Sequence, residues 1–202
     1  MAENSRYCAP FRRRQEGKTD YKAREAFLLS GKPRLVARTS INNTIAQIVV
    51  AKPNGDEVLV SAQSRELARK YGWKAPRGNL PAAYLTGFLC GLKVKARGIK
   101  EAILDIGLYP PSRGARIFAV LKGVLDAKLD VPHSEEKLPD ENRVKGEHIA
   151  KYAESLASNV EEYQSKFSKY LEQKLPPETL PKHVAQVKTD MIAAFKSGGK
   201  KK

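Results

Sequence analysis

The spacing of apolar positions changes several times along the chain, and each change marks an element. From Pro33 the period is two: in Arg34-Leu35-Val36-Ala37-Arg38-Thr39-Ser40, Arg34 and Arg38 share one face, expected to be exposed, and Leu35, Ala37 and Thr39 the other. Asn42-Asn43 suits a tight turn, because Asn tolerates positive φ, and Thr44 to Lys52 forms a second strand. A third strand, Glu57 to Ala62, follows the turn signal Pro53-Asn54-Gly55-Asp56, so the three runs predict an antiparallel meander. Ser64 to Tyr71 is a short helix stopped by Gly72. Leu80 to Ala96 is a longer one, in which Ala83, Gly87 and Gly91 make a row of small residues that lets the helix approach the sheet.

Ala102-Ile103-Leu104-Asp105-Ile106-Gly107 is short and almost wholly apolar, the pattern of a central strand buried on both faces. Pro110-Pro111 then forces a turn. From Arg113 the period is helical, with Ile117, Val120, Leu121 and Val124 in one stripe and Ser112 placed to cap. Loops at the carboxyl ends of such strands bind ligands in open α/β sheets, and a helix start beside Arg113 favours an anion; a plain well-made turn is the alternative. The predicted class is therefore α/β: a three-stranded antiparallel meander, a further central strand and packed helices.

The two ends differ from this core. Residues 1–31 hold Phe11-Arg12-Arg13-Arg14, Lys18, Lys22 and Arg24 with Phe11 and Tyr21 interleaved, a mixture suited to phosphates and base stacking. A solvated, disordered stretch is the competing reading. Tyr21 to Leu29 is predicted as one helix, capped by Thr19 or Asp20, in an arm that orders only on its partner. After the core at 32–133, Ser134 to Asn142 reads as an acidic linker into a helical extension, 134–202. Its helices are expected at Gly146–Ala157, Val160–Leu175 and Pro181–Phe195, the last with a stripe of Val184, Val187, Met191 and Phe195. The basic end Ser197 to Lys202 is expected to be flexible.

Charge decides the class of partner. The net charge is +15 with a pI near 9.8, a field that attracts polyanions. It is concentrated: residues 1–133 carry 24 basic against 11 acidic residues, and 134–175 carry 7 against 9. Many of these cations sit in the arm and on strands rather than on one face of an amphipathic helix, which favours nucleic acid over a membrane surface. No run of about 18 apolar residues exists to span a bilayer. The N-terminus lacks a signal-peptide pattern, so a cytosolic protein is expected. Cys8 and Cys90 lack zinc-site spacing and are expected to be reduced thiols, Cys90 in the core. Trp73, in the basic loop Gly72 to Asn79, either stacks on a base or plugs the domain edge.

Catalytic chemistry is missing. The order strand, strand, strand, helix, strand, helix also describes ribonuclease-H-like nucleases, but two-metal hydrolysis needs several converging carboxylates. The first strand offers Arg34 and Arg38 and no acid, which leaves Asp105 alone. His133, His148 and His183 pair with no Cys or Ser at a useful spacing, and there is no Walker loop and no GxGxxG.

Several stretches together resemble one family: Gly17-Lys18-Thr19-Asp20-Tyr21-Lys22-Ala23-Arg24, Lys32-Pro33-Arg34-Leu35-Val36, Tyr71-Gly72-Trp73, Asn79-Leu80-Pro81-Ala82-Ala83-Tyr84, Asp105-Ile106-Gly107-Leu108, and Gly123 to Ala127 with Asp130-Val131-Pro132-His133. They resemble the universal large-subunit ribosomal proteins numbered eighteen, in the archaeal form. The resemblance implies an α/β core that binds 5S rRNA in the central protuberance, beside 23S rRNA and the large-subunit protein numbered five, without catalysis, cofactor or small-molecule substrate. It implies an RNA-contacting set of Arg12, Arg13, Arg14, Lys18, Tyr21, Lys22 and Arg24 in the arm. To these it adds Lys32, Arg34, Arg38, Ser40, Asn42, Asn43 and Gln47 around the first hairpin, and Arg77, Asn79 and Arg113 in the loops. Asn43 departs from the His that many members carry near that turn. The competing class is an extra-ribosomal or regulatory RNA-binding protein using the same surface.

Overall fold

In the computed structural model, which describes residues 6–198, the chain opens with a short helix α1 (Arg12–Gln15) and with α2 (Tyr21–Leu29). Asp20 caps α2, its carboxylate accepting from the backbone N–H groups of Lys22 and Ala23 at 2.9 and 3.2 Å. The period-two segments form β1 (Arg34–Thr39), β2 (Thr44–Lys52) and β3 (Gly55–Gln63), paired antiparallel in sequence order. After α3 (Ser64–Lys70) and α4 (Leu80–Ala96) comes β4 (Ile103–Asp105), parallel to β1. The result is one four-stranded mixed sheet in the order β3-β2-β1-β4.

The strand expected at the centre is thus at the edge, and it is half-buried rather than buried on both faces until Asp105. It is only three residues long because Asp105 turns the chain out of the sheet, its Oδ1 accepting the N–H of Gly107 at 2.9 Å. The following helix, α5 (Arg116–Asp126), starts later than a cap at Ser112 predicts. Ala115 holds the cap position without a side-chain bond, because Gly114 (φ +68°) ties its N–H to the carbonyl of Lys137 at 3.1 Å.

Leu35, Ala37, Ala46, Ile48, Val60 and Ala62 are fully or nearly buried on one face of the sheet. Helix α4 covers β2 and β3 there, and α5 lies over β1. The small-residue row serves the helix pair rather than the sheet. A Cβ on Gly87 would lie 2.0 Å from the carbonyl oxygen of Val120, and one on Gly123 2.2 Å from that of Tyr84. The absence of side chains at these positions sets the helix separation.

The extension shares this core. Four helices, α6 (Glu141–Lys145), α7 (Glu147–Ser155), α8 (Val160–Glu172) and α9 (Leu180–Gly198), and turns of 3-10 helix at Glu135–Lys137 and Pro177–Thr179 follow α5. The predicted linker is pinned to α5: Lys122 Nζ donates to the carbonyl of Pro139 at 2.9 Å. On α9, Val184, Val187 and Met191 are buried in the same apolar cluster as Leu35 and Leu89. Lys188 of α9 donates to Tyr84 Oη at 2.5 Å and pairs with Asp126 at 3.4 Å. Trp73 plugs the edge: it is 3% exposed and its indole stacks on His183, centroids 5.1 Å apart. Cys90 is buried and Cys8 exposed, neither in a disulfide. The basic end at 199–202 lies outside the described residues.

Candidate nucleic-acid interface

The sheet face opposite α4 and α5 is roofed by the arm. Between them runs a groove of about 640 Å³, lined by Arg13, Lys18, Asp20, Tyr21 and Arg24 from the arm and by Arg34, Val36, Arg38, Gln47, Val49, Asp56, Val58 and Asp105 from the strands. Arg34, Val36 and Arg38 face it because they alternate with the buried Leu35 and Ala37 on β1. Asp56 and Val58 face it for a less regular reason. The pairing of β2 with β3 shifts between Ile48↔Val60 and Val49↔Val58, leaving Leu59 as an extra residue. This bulge sends Val60 and Ala62 into the core but Val58 and Asp56 to the opposite face.

A chain of ion pairs crosses the groove floor. Arg24 grips Asp56 with both terminal nitrogens, at 2.7 and 2.9 Å. Arg34 bridges Asp56 at 2.8 Å and Asp105 at 3.0 Å, and Arg38 meets the second oxygen of Asp105 at 2.9 Å. Arg38 Nη1 also donates to the carbonyls of Ala37 and Asp105, each at 2.8 Å. Gly107, at φ +64°, leaves room for that guanidinium: a Cβ there would sit 3.0 Å from Arg38 Cζ. The Arg24 guanidinium, helped by Arg34, holds the Asp56 carboxyl at about 2 against the opposing cost of its partial burial. Asp56 is therefore ionised at any physiological pH.

Seven of the residues expected to meet RNA come together here: Arg13, Lys18, Tyr21, Arg24, Arg34, Arg38 and Gln47. The premise that Arg34 is exposed is corrected, since its side chain is only 5% accessible between two carboxylates. The arm is also more ordered than expected, with α2 tied to β3 through Arg24 and Asp56. Arg12 and Lys18 both pair with Glu16 at 2.8 Å; Arg14 and Lys22 are exposed. Lys32 sits outside the groove, 2.6 Å from Glu101.

The loop residues form a second group at the far end of the sheet. Ser40 and Asn43 close the β1–β2 turn on each other, Ser40 Oγ accepting the N–H of Asn43 at 3.0 Å, with Asn42 exposed beside them. Arg116 fastens this turn to the loop before α4, donating to the carbonyls of Ser40 at 2.7 Å and Gly78 at 2.9 Å. Arg77 is half-buried and Arg113 exposed nearby in sequence. Asn79 serves the fold, capping α4 through the N–H of Ala82 at 2.8 Å and donating to Tyr170 Oη at 3.2 Å. Exposed Ile41, Leu108 and Tyr109 add apolar surface on these same loops.

Sequence reasoning missed Asp20, Asp56 and Arg116 as parts of the site. Arg116 carries no signal beyond its charge, and Asp56 is hidden by the bulge. No group of three His, Cys, Asp or Glu able to hold a metal occurs among the described residues, and no helix of them is long and apolar enough to cross a membrane.

Five cations against three carboxylates, with Tyr21 and apolar Val36, Val49 and Val58 between them, give a surface that can bind an anionic polymer with exposed rings. A family model described as ribosomal large subunit proteins 60S L5 and 50S L18 matches residues 5–100 and 93–134, nearly the whole arm and core. That match spans well over half of the chain, and the resemblance drawn from its motifs stands. The chain belongs to the family of ribosomal large subunit proteins 60S L5 and 50S L18, a family of structural ribosomal proteins.

Proposed function

We propose that this protein binds 5S rRNA through the groove between arm and sheet and helps attach it to 23S rRNA in the central protuberance, next to the large-subunit protein numbered five. The observation that carries this reading is the groove itself: seven cationic, aromatic or amide side chains of the expected set converge on it. Arg13, Lys18, Arg24 and Arg38 supply phosphate contacts, Tyr21 a stacking face and Gln47 a base-edge contact. The loops bearing Arg77 and Arg113 extend the surface at the far end of the sheet. Residues 1–31 and 32–133 carry the RNA contacts, while the near-neutral extension, 134–202, meets protein neighbours and supports the core.

Salt dependence tests it. Of the six arm cations in the expected RNA-contacting set, Arg12, Lys18 and Arg24 are held by carboxylates, leaving Arg13, Arg14 and Lys22. Each phosphate neutralised contributes about 0.7 to 0.9 to the slope of log affinity against log salt. Deleting residues 1–31 flattens the slope on 5S rRNA by about 2 if only those three engage, and by about 5 if all six do. An unchanged slope and affinity would reject the groove as the RNA site.

A further inference from the structure

Asp56 and Asp105 both hold arginines on the groove floor, yet their situations differ. Asp105 is 9% exposed, sits on a strand and is bound by Arg34, Arg38 and the N–H of Gly107. Asp56 is 30% exposed and stands at the start of β3, beside the turn at Pro53 and Asn54. The bulge at Leu59 is what aims it at the arginines. Its two oxygens take both terminal nitrogens of Arg24 and one of Arg34. Even so, Arg34 Nε is buried with no partner, so the arrangement leaves a donor of the same guanidinium unsatisfied.

The geometry points to Asp56 as an internal stand-in for an RNA phosphate: it holds Arg24 and Arg34 while the groove is empty, and a backbone phosphate replaces it on both arginines when RNA binds. This rests on the reading of the groove as the RNA site. A phosphodiester carries the same single charge as the carboxylate and offers two oxygens in the fork geometry that guanidinium groups prefer. The exchange therefore leaves no uncompensated charge on the floor. Asp56 swings into solvent at the strand end, where it is readily rehydrated since it is already partly wet, so the cost of the exchange is the contacts to the arginines that it breaks. Because Asp56 is tethered, it competes at high effective concentration, and isolated phosphates lose to it. Only an RNA that makes further contacts along the groove displaces it.

The test compares full-length parent, D56N and E57Q in binding to 5S rRNA across a salt series. Glu57 is the adjacent exposed acid and pairs with Lys52, so E57Q reproduces the general effect of losing one negative charge. D56N is expected to bind about tenfold tighter than E57Q, the strength of one charge-assisted contact no longer having to be broken. The arm of free D56N should also be cut faster by trypsin. D56A, which removes the acceptor altogether, should rank with D56N. Affinities of D56N and D56A equal to or below that of E57Q, with circular dichroism unchanged, overturn the proposal. R13A/K18A separates the two claims: Arg13 and Lys18 line the groove but touch neither Asp56 nor Asp105. If that variant binds like the parent, the groove reading itself falls. If it binds more weakly while D56N matches E57Q, only the stand-in falls.

Discussion

Replacing Arg34 with alanine should destabilise the fold before it weakens any RNA contact. The side chain is 5% exposed and bridges Asp56 and Asp105. Breaking a buried pair by removing one partner costs about 3–5 kcal/mol when the other charge is left bare. Here the loss is smaller, because Asp105 keeps Arg38 and the N–H of Gly107, and Asp56 keeps both nitrogens of Arg24. We expect about 2–3 kcal/mol. For a chain of this size that lowers Tm by about 5–10 °C. Lysine at the same position keeps the charge but cannot bridge two carboxylates, and should recover less than half of the loss. The double variant R34A/D105N should be more stable than R34A, since it removes the acid left under-compensated. Thermal unfolding by circular dichroism reads all three, and RNA affinity is then measured well below each Tm. A Tm for R34A within about 1 °C of the parent would refute the reasoning and return Arg34 to the role of a surface cation.

Ending the chain at Pro132 removes α9, whose Lys188 holds Tyr84 and whose His183 covers Trp73; the shortened protein should bind a hydrophobic dye and melt at lower temperature than the parent. His183 titrates below its usual range because it is partly buried, with Lys74 nearby opposing its charge and Asp190 favouring it. The unfolded chain therefore binds the proton more readily, and the docking of α9 should weaken as pH falls below about 6.5, read as a change in Trp73 fluorescence that His183→Gln abolishes. Burial pushes the Cys90 thiol up to about 12, so in the native protein an alkylating reagent should modify exposed Cys8 alone, with Cys90 reacting only on unfolding.

The elements were legible because their periodicities are clean. Leu35 and Ala37 alternate with Arg34, Val36 and Arg38, and in the α9 stripe Val184, Val187 and Met191 are buried, with Phe195 half-buried against the same core. What the pattern could not supply was position within the sheet. An apolar hexapeptide around Leu104 has the composition of a central strand, but composition does not say how soon the chain leaves the ladder, and Asp105 makes it leave at once. The row of Gly87 and Gly91 signalled close approach without saying whether a sheet or a helix approaches. Exposure of Arg34 was misjudged for a related reason: its partner Asp56 is 22 residues away and reaches it only through a bulge, which an unbroken period of two hides.

The net charge of the first 133 residues therefore overstates the cation available to RNA. Among the groove's five cations, Arg24, Arg34 and Arg38 are all engaged by two carboxylates on the sheet, so the free groove presents a weaker field than the sum implies. The engaged guanidinium groups are also the most rigidly placed, because each is held by at least two bonds. The exposed Arg14 and Lys22 keep their charge in water and act at long range. If the groove is the RNA site, attraction and recognition are carried by different side chains: exposed Arg14 and Lys22 raise the rate of encounter in a salt-dependent way, and the ordered arginines fix register once a phosphate reaches them. A substitution at Lys22 should for that reason change association more than dissociation, and one at Arg38 the reverse. Equal effects of both on the association rate in stopped-flow measurements at two salt concentrations would contradict this division.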